Sequence, residues 1–445
     1  MDISNILQLI SDYIWSLPFL LFFFGVCIFM TIYLNFVQFF YFTQSIKMLL
    51  IPNKSSNDSE TTEKLSPFQA FMNTLGGNIG NGSLAGIPVA ITIGGPGSVF
   101  WLLLMSTFSV SLRFSEVFLA TYFSRFATKE KSGPMYYLSL LPMGNLFSFL
   151  FCLFAFGFMI TGGCLIQCNA VSTAINRSWN IDQNISAIIV SLFVLYVLVG
   201  GATRIVKFLD ALVPIKVYGF LISALIVLIY HIQSIPHALY LIVSLAFQPQ
   251  ALLGGSFAFA IQKSIALGLQ QGITATEAGL GTSAIAFGTT TNQNPISTGI
   301  MSMLSVYINT HLICFLVALC VISSGVWNNG ETSSALLISA YETVFGPMAG
   351  FIVSILITMF ATSVVIAFAY NAKICWNYLF NGKFTTLFIV LYTLCASYGT
   401  IMNAKIVWTI NSIVTGGLFS FNVFGILYFA KTIKNELLKY KNIYE

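Results

Sequence analysis

Eleven apolar runs follow one another along this 445-residue chain, near 14–42, 67–94, 98–125, 146–174, 184–200, 205–232, 254–278, 298–325, 346–370, 384–402 and 405–431. About 20 apolar residues cross a bilayer core as helix. Barrel strands alternate in polarity over about ten residues, so runs this uniformly apolar are expected to be helices. Composition agrees: 57% of residues are hydrophobic and 7% charged, against about 25% charged in a soluble domain. The expectation is an all-α polytopic membrane protein of about eleven transmembrane helices, with lipid as its main solvent and no nucleic-acid partner. The first run is not read as a cleavable signal, because its start carries Asp2 and Asp12 rather than basic residues. The eight cysteines lie inside apolar runs without metal-ligand or disulfide spacing, and read as small core hydrophobes.

An odd number of spans puts the termini on opposite sides, so the distribution of basic residues tests the count. With the C-terminus cytoplasmic, fourteen of nineteen basic residues fall inside, among them Lys47, Lys54, Lys64, Arg125, Lys129, Lys131, Lys431 and the three lysines of the tail 432–445. Only Arg177 and Lys405 fall outside, while Arg113, Lys216 and Lys263 remain within spans. This predicts a multi-pass protein of a bacterial-type plasma membrane with its N-terminus outside. The basic tail reads as a solvated, topology-setting end.

Two spans are crowded with glycine. The first, "NTLGGNIGNGSLAG", has Gly76, Gly77, Gly80, Gly82 and Gly86; the other, "LGLQQGITATEAGLG", has Gly268, Gly272, Gly279 and Gly281. Each internal Gly costs a helix up to about 1 kcal/mol against Ala, which favours local unwinding. Close helix packing through small residues is the alternative reading. With the N-terminal helix (1–45) set aside, these segments open two five-helix halves, 67–232 and 254–431, of opposite orientation. That is the inverted-repeat pattern of secondary transporters, whose cargo binds where half-helix ends present free N–H and C=O groups.

The blocks "GGNIGNGSLAGIPVAITIGGPGSVFW", "SGPMYY", "GGCLIQCN", "GGATRIVKFLDALVP" and "TEAGLGTSAIA" resemble the alanine or glycine:cation symporters, in order and over nearly the whole chain. That family belongs to the leucine-transporter fold class. The resemblance implies a small neutral amino acid as substrate and sodium as the co-transported ion, with no cofactor. Sodium would be held by the carbonyls of Gly76 and Ile79 and the hydroxyls of Thr362 and Ser363, oxygen donors that suit a hard cation; helix hydroxyls bonded to their own preceding turn are the alternative. The substrate carboxylate would meet the N–H groups of Asn81 and Gly82, with Gly77, Asn78, Gly80 and Ser83 lining the same stretch. Gln167, Thr276 and Phe368 would complete the pocket, although Gln167 also reads as polar glue between helices and Phe368 as ordinary core. Glu277 reads as a gate charge or a structural latch, and Arg113 and Glu116, three apart on one helix face, as a structural pair.

The chain departs from the family pattern at Asn81, Ser83, Asn309, Lys373 and Asn411, several of which replace acids. These departures leave substrate and coupling ion open, with proton-coupled or uncoupled carriage of another small solute as the alternative. An enzyme is disfavoured by the lack of HExxH, GxSxG or paired carboxylates, and a channel by the paired broken helices.

Overall fold

The computed structural model describes residues 3–50, 65–126, 132–247, 257–290 and 294–444, and within them every regular element is helical. Six helices are long and apolar enough to span a membrane unaided: Gly97–Phe126, Gly144–Trp179, Gly201–Tyr230, Pro295–Ser323, Ser333–Phe380 and Ala404–Tyr428. The N-terminal pair Ser4–Ile14 and Leu17–Tyr33, bent by 41°, makes a seventh span if taken as one. Gln183–Val199 and Thr385–Ile401 are shorter apolar helices at two further expected spans.

The first span differs from expectation at its end. Asn35 and Phe36 adopt left-handed backbone (φ 52° and 56°), which terminates a right-handed helix, so the span stops at Tyr33 rather than near 42. Two helices read as connections, Ile235–Phe247 and Ser333–Phe345, are 13 residues each, too short to span by themselves; the second runs through the turn Gly346–Met348 into Ala349–Phe380, the spanning part of Ser333–Phe380. The tail is also helical, Ala430–Tyr444, and buries Ile433, Leu437 and Tyr440. One face of it packs on the bundle rather than standing free in solvent. Its Lys54, Lys64, Lys129 and Lys131 counterparts on the same expected side lie outside the described residues.

The helix Gly97–Phe126 is the central post. It packs against Leu17–Tyr33, Phe257–Thr276 and Pro295–Val306, and Val110, Leu112, Phe114, Val117 and Phe118 have no exposed surface. On the rim, Ile188, Leu192, Tyr218 and Ile222 stay more than half exposed, as lipid-facing side chains must.

Gly268 and Gly272 do not break their helix, which runs unbroken from Phe257 to Thr276. A Cβ at Gly268 would stand 2.5 Å from Trp101 Cβ, and one at Gly272 would stand 2.6 Å from Met105 Cβ. These two glycines let the helix lie against the central post, the packing role weighed above. The interruption falls just after Thr276, where Glu277, Gly279 and Gly281 take φ values of 51°, 87° and 79°.

Candidate functional site

The first broken helix starts with a capping box, Ser66 and Gln69 exchanging hydrogen bonds around Pro67, and runs to Asn78. Ile79 leaves helical geometry (φ −89°, ψ 83°), and the chain resumes as a wide π-type turn over Gly82–Gly86 before the helix Ile87–Gly94. A helix that stops in mid-bundle leaves carbonyls without partners, and buried ones must be satisfied by something else. Here the partners are side chains from distant helices. Asn309 Nδ2 donates to Asn78 O at 2.9 Å. Lys216 Nζ donates to Ile79 O at 2.6 Å, to Gly76 O at 3.3 Å and to Ser363 Oγ.

The second break lies beside the first. Asn309 Nδ2 also donates to Ala275 O at 2.6 Å, Asn78 Nδ2 donates to Thr276 O at 3.3 Å, and Ser83 Oγ donates to Asn309 Oδ1 at 2.9 Å. Asn309 therefore ties both breaks together. A fully buried ion pair holds the far end: Arg113 reaches Glu116 at 2.8 Å and donates to Thr276 O at 2.6 Å. Glu116 Oε2 accepts from the Gly279 and Gly281 N–H groups at 3.0 and 2.9 Å and from Asn422 Nδ2 at 3.0 Å. The freed N–H groups of the second break are thus already held by a carboxylate of the protein.

Between the breaks lies a cavity of about 200 Å³, walled by Gly77, Asn78, Gly80, Gly82, Ser83, Gln167, Glu277 and Phe368 among others. It adjoins a second, of about 410 Å³, through shared Gly82, Gly86, Ile166, Gln271 and Trp408; Asn81, Arg177 and Ser333 line this outer space. The Phe368 ring fits where it does because Gly77 and Gly163 have no side chains: a Cβ at Gly77 would stand 2.8 Å from the ring, and one at Gly163 would overlap it.

These are the features of a carrier site, and the sequence matches the sodium:alanine symporter family over residues 1–445. The chain belongs to that family. It is 27% identical to the sodium/alanine symporter AgcS of Methanococcus maripaludis over 458 residues, covering 100% of this chain and 98% of AgcS. An uncharacterized transporter of Haemophilus influenzae is 29% identical over 448 residues, covering 99% and 96%. The probable sodium/glutamine symporter GlnT of Bacillus subtilis is 26% identical over 447 residues, covering 98% and 91%. Among solved structures, a manganese transporter of Eremococcus coleocola aligns with 82% of this chain and 80% of its own at 13% identity, with a TM-score of 0.49. Membership makes this chain an amino-acid and cation carrier of the membrane.

Most residues inferred for this family member's substrate pocket do converge. Gln167 reaches across from the helix Ile166–Trp179, its Oε1 accepting from the Asn81 N–H at 3.2 Å and its Nε2 donating to Gly162 O at 3.1 Å. The Asn81 N–H assigned to a substrate carboxylate is therefore engaged by Gln167 in this conformation, while Gly82 faces open space. Thr276 stands beside the cavity wall rather than in it: its hydroxyl bonds back to Gly272 O at 2.8 Å, and its carbonyl accepts from Arg113. Glu277 lines the cavity and accepts from Thr282 Oγ1 at 2.9 Å.

The inferred ion site converges only in part. Gly76 O, Ile79 O and Ser363 Oγ surround one point, but Lys216 Nζ stands there, and Thr362 is not among its partners. Lys216 was visible only as a cation inside an apolar run, which by itself marks a functional position in a membrane protein. Asn309 and Asn411 appeared only as departures; Asn411 lines the cavity and accepts from Thr161 Oγ1 at 3.0 Å. Trp15, Gln270, Gln271 and Thr274 also stand in the wall; of these the adjacent amides Gln270 and Gln271, following the apolar stretch Ile265–Leu269, carried a signal in the sequence.

Proposed function

We propose that this chain imports a small neutral amino acid, alanine, glycine or similar, across a bacterial-type plasma membrane by alternating access between two five-helix halves of opposite orientation. The observation that carries the reading is the cavity between the two breaks, of about 200 Å³, where amides, hydroxyls, backbone and the Glu277 carboxyl stand among the apolar side chains of Phe158, Val364, Phe368 and Trp408. Half-helix ends supply both signs for a zwitterion; in this conformation Gly82 faces open space while Gln167 holds the Asn81 N–H, so a substrate carboxylate would bind by taking the place of Gln167. The connection toward Arg177 and Ser333 supports access from the expected outer side, while the Arg113–Glu116 clamp supports closure on the other.

Sodium is the ion in the names of the relatives AgcS and GlnT. A sodium-independent carrier is the second reading, favoured by Lys216 within the oxygen cage. Uptake of labelled alanine, glycine and serine into proteoliposomes, under an imposed sodium or proton gradient, tests the proposal. Accumulation above the level without a gradient is expected for at least one of them. No accumulation of any under either gradient refutes it.

A further inference from the structure

We propose that the Lys216 ammonium is a tethered substitute for a bound sodium ion, so that this chain joins its first broken helix to the helix Ala349–Phe380 without sodium at that position. The point where Nζ stands is defined by two carbonyls freed at the break, Gly76 O and Ile79 O, and by Ser363 Oγ from the second helix. All three are neutral oxygens, the donor set a hard monovalent cation seeks. A lysine head group has three N–H donors and no acceptor, and here it has three oxygen partners, which uses each donor once. Phe360 adds a ring face, its centroid 5.2 Å from Nζ.

The lysine is not there for another reason. It has no exposed surface, and among the described residues no carboxylate forms an ion pair with it. It comes from a third element, the helix Gly201–Tyr230, and its bond to Ile79 spans 137 residues of sequence. A buried cation without a carboxylate is retained only where dipoles and hydrogen bonds compensate it, and the free end of a broken helix provides them. A sodium ion on the same oxygens would displace Nζ or share its volume with a like charge.

Two consequences follow for transport. An ion bound in this cage would leave with the substrate in each cycle, whereas a side chain cannot, so this position contributes no co-transported sodium. The contact it makes also remains when external sodium is absent, so the break stays assembled for substrate. Neither consequence depends on which amino acid is carried. The uptake arm below rests on the proposed function; the sodium-binding and thermal arms do not, so the two can fail separately.

The test compares the full-length wild type with Lys216→Met and Lys216→Ala. For the purified wild type, replacing sodium chloride with choline chloride is expected to leave the unfolding temperature unchanged and labelled sodium unbound. Both variants are expected to gain sodium binding and a sodium-dependent rise in unfolding temperature, since a ligand stabilises only a protein that binds it. In proteoliposomes, wild-type alanine uptake is expected to change by less than about twofold without sodium, and variant uptake to fall by about tenfold or more. Saturable sodium binding to the wild type that Ser363→Ala removes, or folded Lys216 variants that bind no more sodium than the wild type, overturns the proposal. If neither Lys216 variant folds, the comparison of wild type with Ser363→Ala decides it alone.

Discussion

The side-chain amide of Asn309 donates to the carbonyl of Asn78 at 2.9 Å, so one side chain of the helix Pro295–Ser323 closes a hydrogen bond that the first helix break left open. The same nitrogen holds Ala275 O of the second break at 2.6 Å, and Asn309 Oδ1 receives Ser83. A carboxylate at this position would face two carbonyl oxygens with no hydrogen to offer. Asn309→Asp is expected to cost about 1–3 kcal/mol, the range for buried polar groups left unsatisfied, and to lower the unfolding temperature in detergent. An unchanged unfolding temperature would remove Asn309 from the role of tie.

Glu116 carries a heavier load. Its two oxygens accept from Arg113, Gly279, Gly281 and Asn422, and its removal leaves the fully buried Arg113 guanidinium without its carboxylate. Glu116→Ala is expected to destabilise the protein by about 3–5 kcal/mol, as breaking a buried pair from one side does. Fluorescence-detected size exclusion after a heating series reads the loss directly. A wild-type profile would mean that water or another group replaces the carboxylate.

Gln167 should separate binding from folding. Its carbonyl oxygen accepts from the Asn81 N–H beside the cavity, and its bonds are to backbone only. Gln167→Ala is expected to raise the KM of uptake about tenfold, equivalent to one or two hydrogen bonds, while expression and unfolding temperature stay close to wild type. Unchanged uptake kinetics would exclude Gln167 from the substrate site.

Gly80 provides a steric test of the break. A Cβ there would come within 2.6 Å of Val364 Cγ2, and overpacking of this kind costs about 1–3 kcal/mol. Gly80→Ala is expected to lower uptake and stability, and Val364→Ala in the same chain to restore much of both. Failure of the double variant to recover would show that Gly80 is needed for its backbone or for the cavity wall, not for the space beside Val364.

Much of this protein is legible without its structure, because lipid imposes its demands locally. A residue inside the bilayer must be apolar and its backbone bonded within the helix, so length, composition and glycine crowding marked the spans and the two interrupted segments. The residues of the first break, Asn78 to Ser83, were legible for the same reason, and the ordered blocks from Gly76 to Ala286 carry the family. What sequence alone left undecided was which glycines unwind a helix and which admit a neighbour. Gly268 and Gly272 belong to the second kind because Trp101 and Met105 lie against them, and no local pattern reports that approach.

The partners of the freed backbone groups were decided by the tertiary structure alone. A broken helix announces that carbonyls will need donors, but the donor is whichever side chain the packing brings within about 3 Å. For Asn78 that is Asn309, 231 residues away, and for Ile79 it is Lys216, 137 residues away. The sequence by itself determined a helical membrane carrier with two interruptions. Only the packed bundle decided that the oxygens at the first interruption face a lysine of the same chain, because burial demands a partner without specifying where in the sequence it comes from.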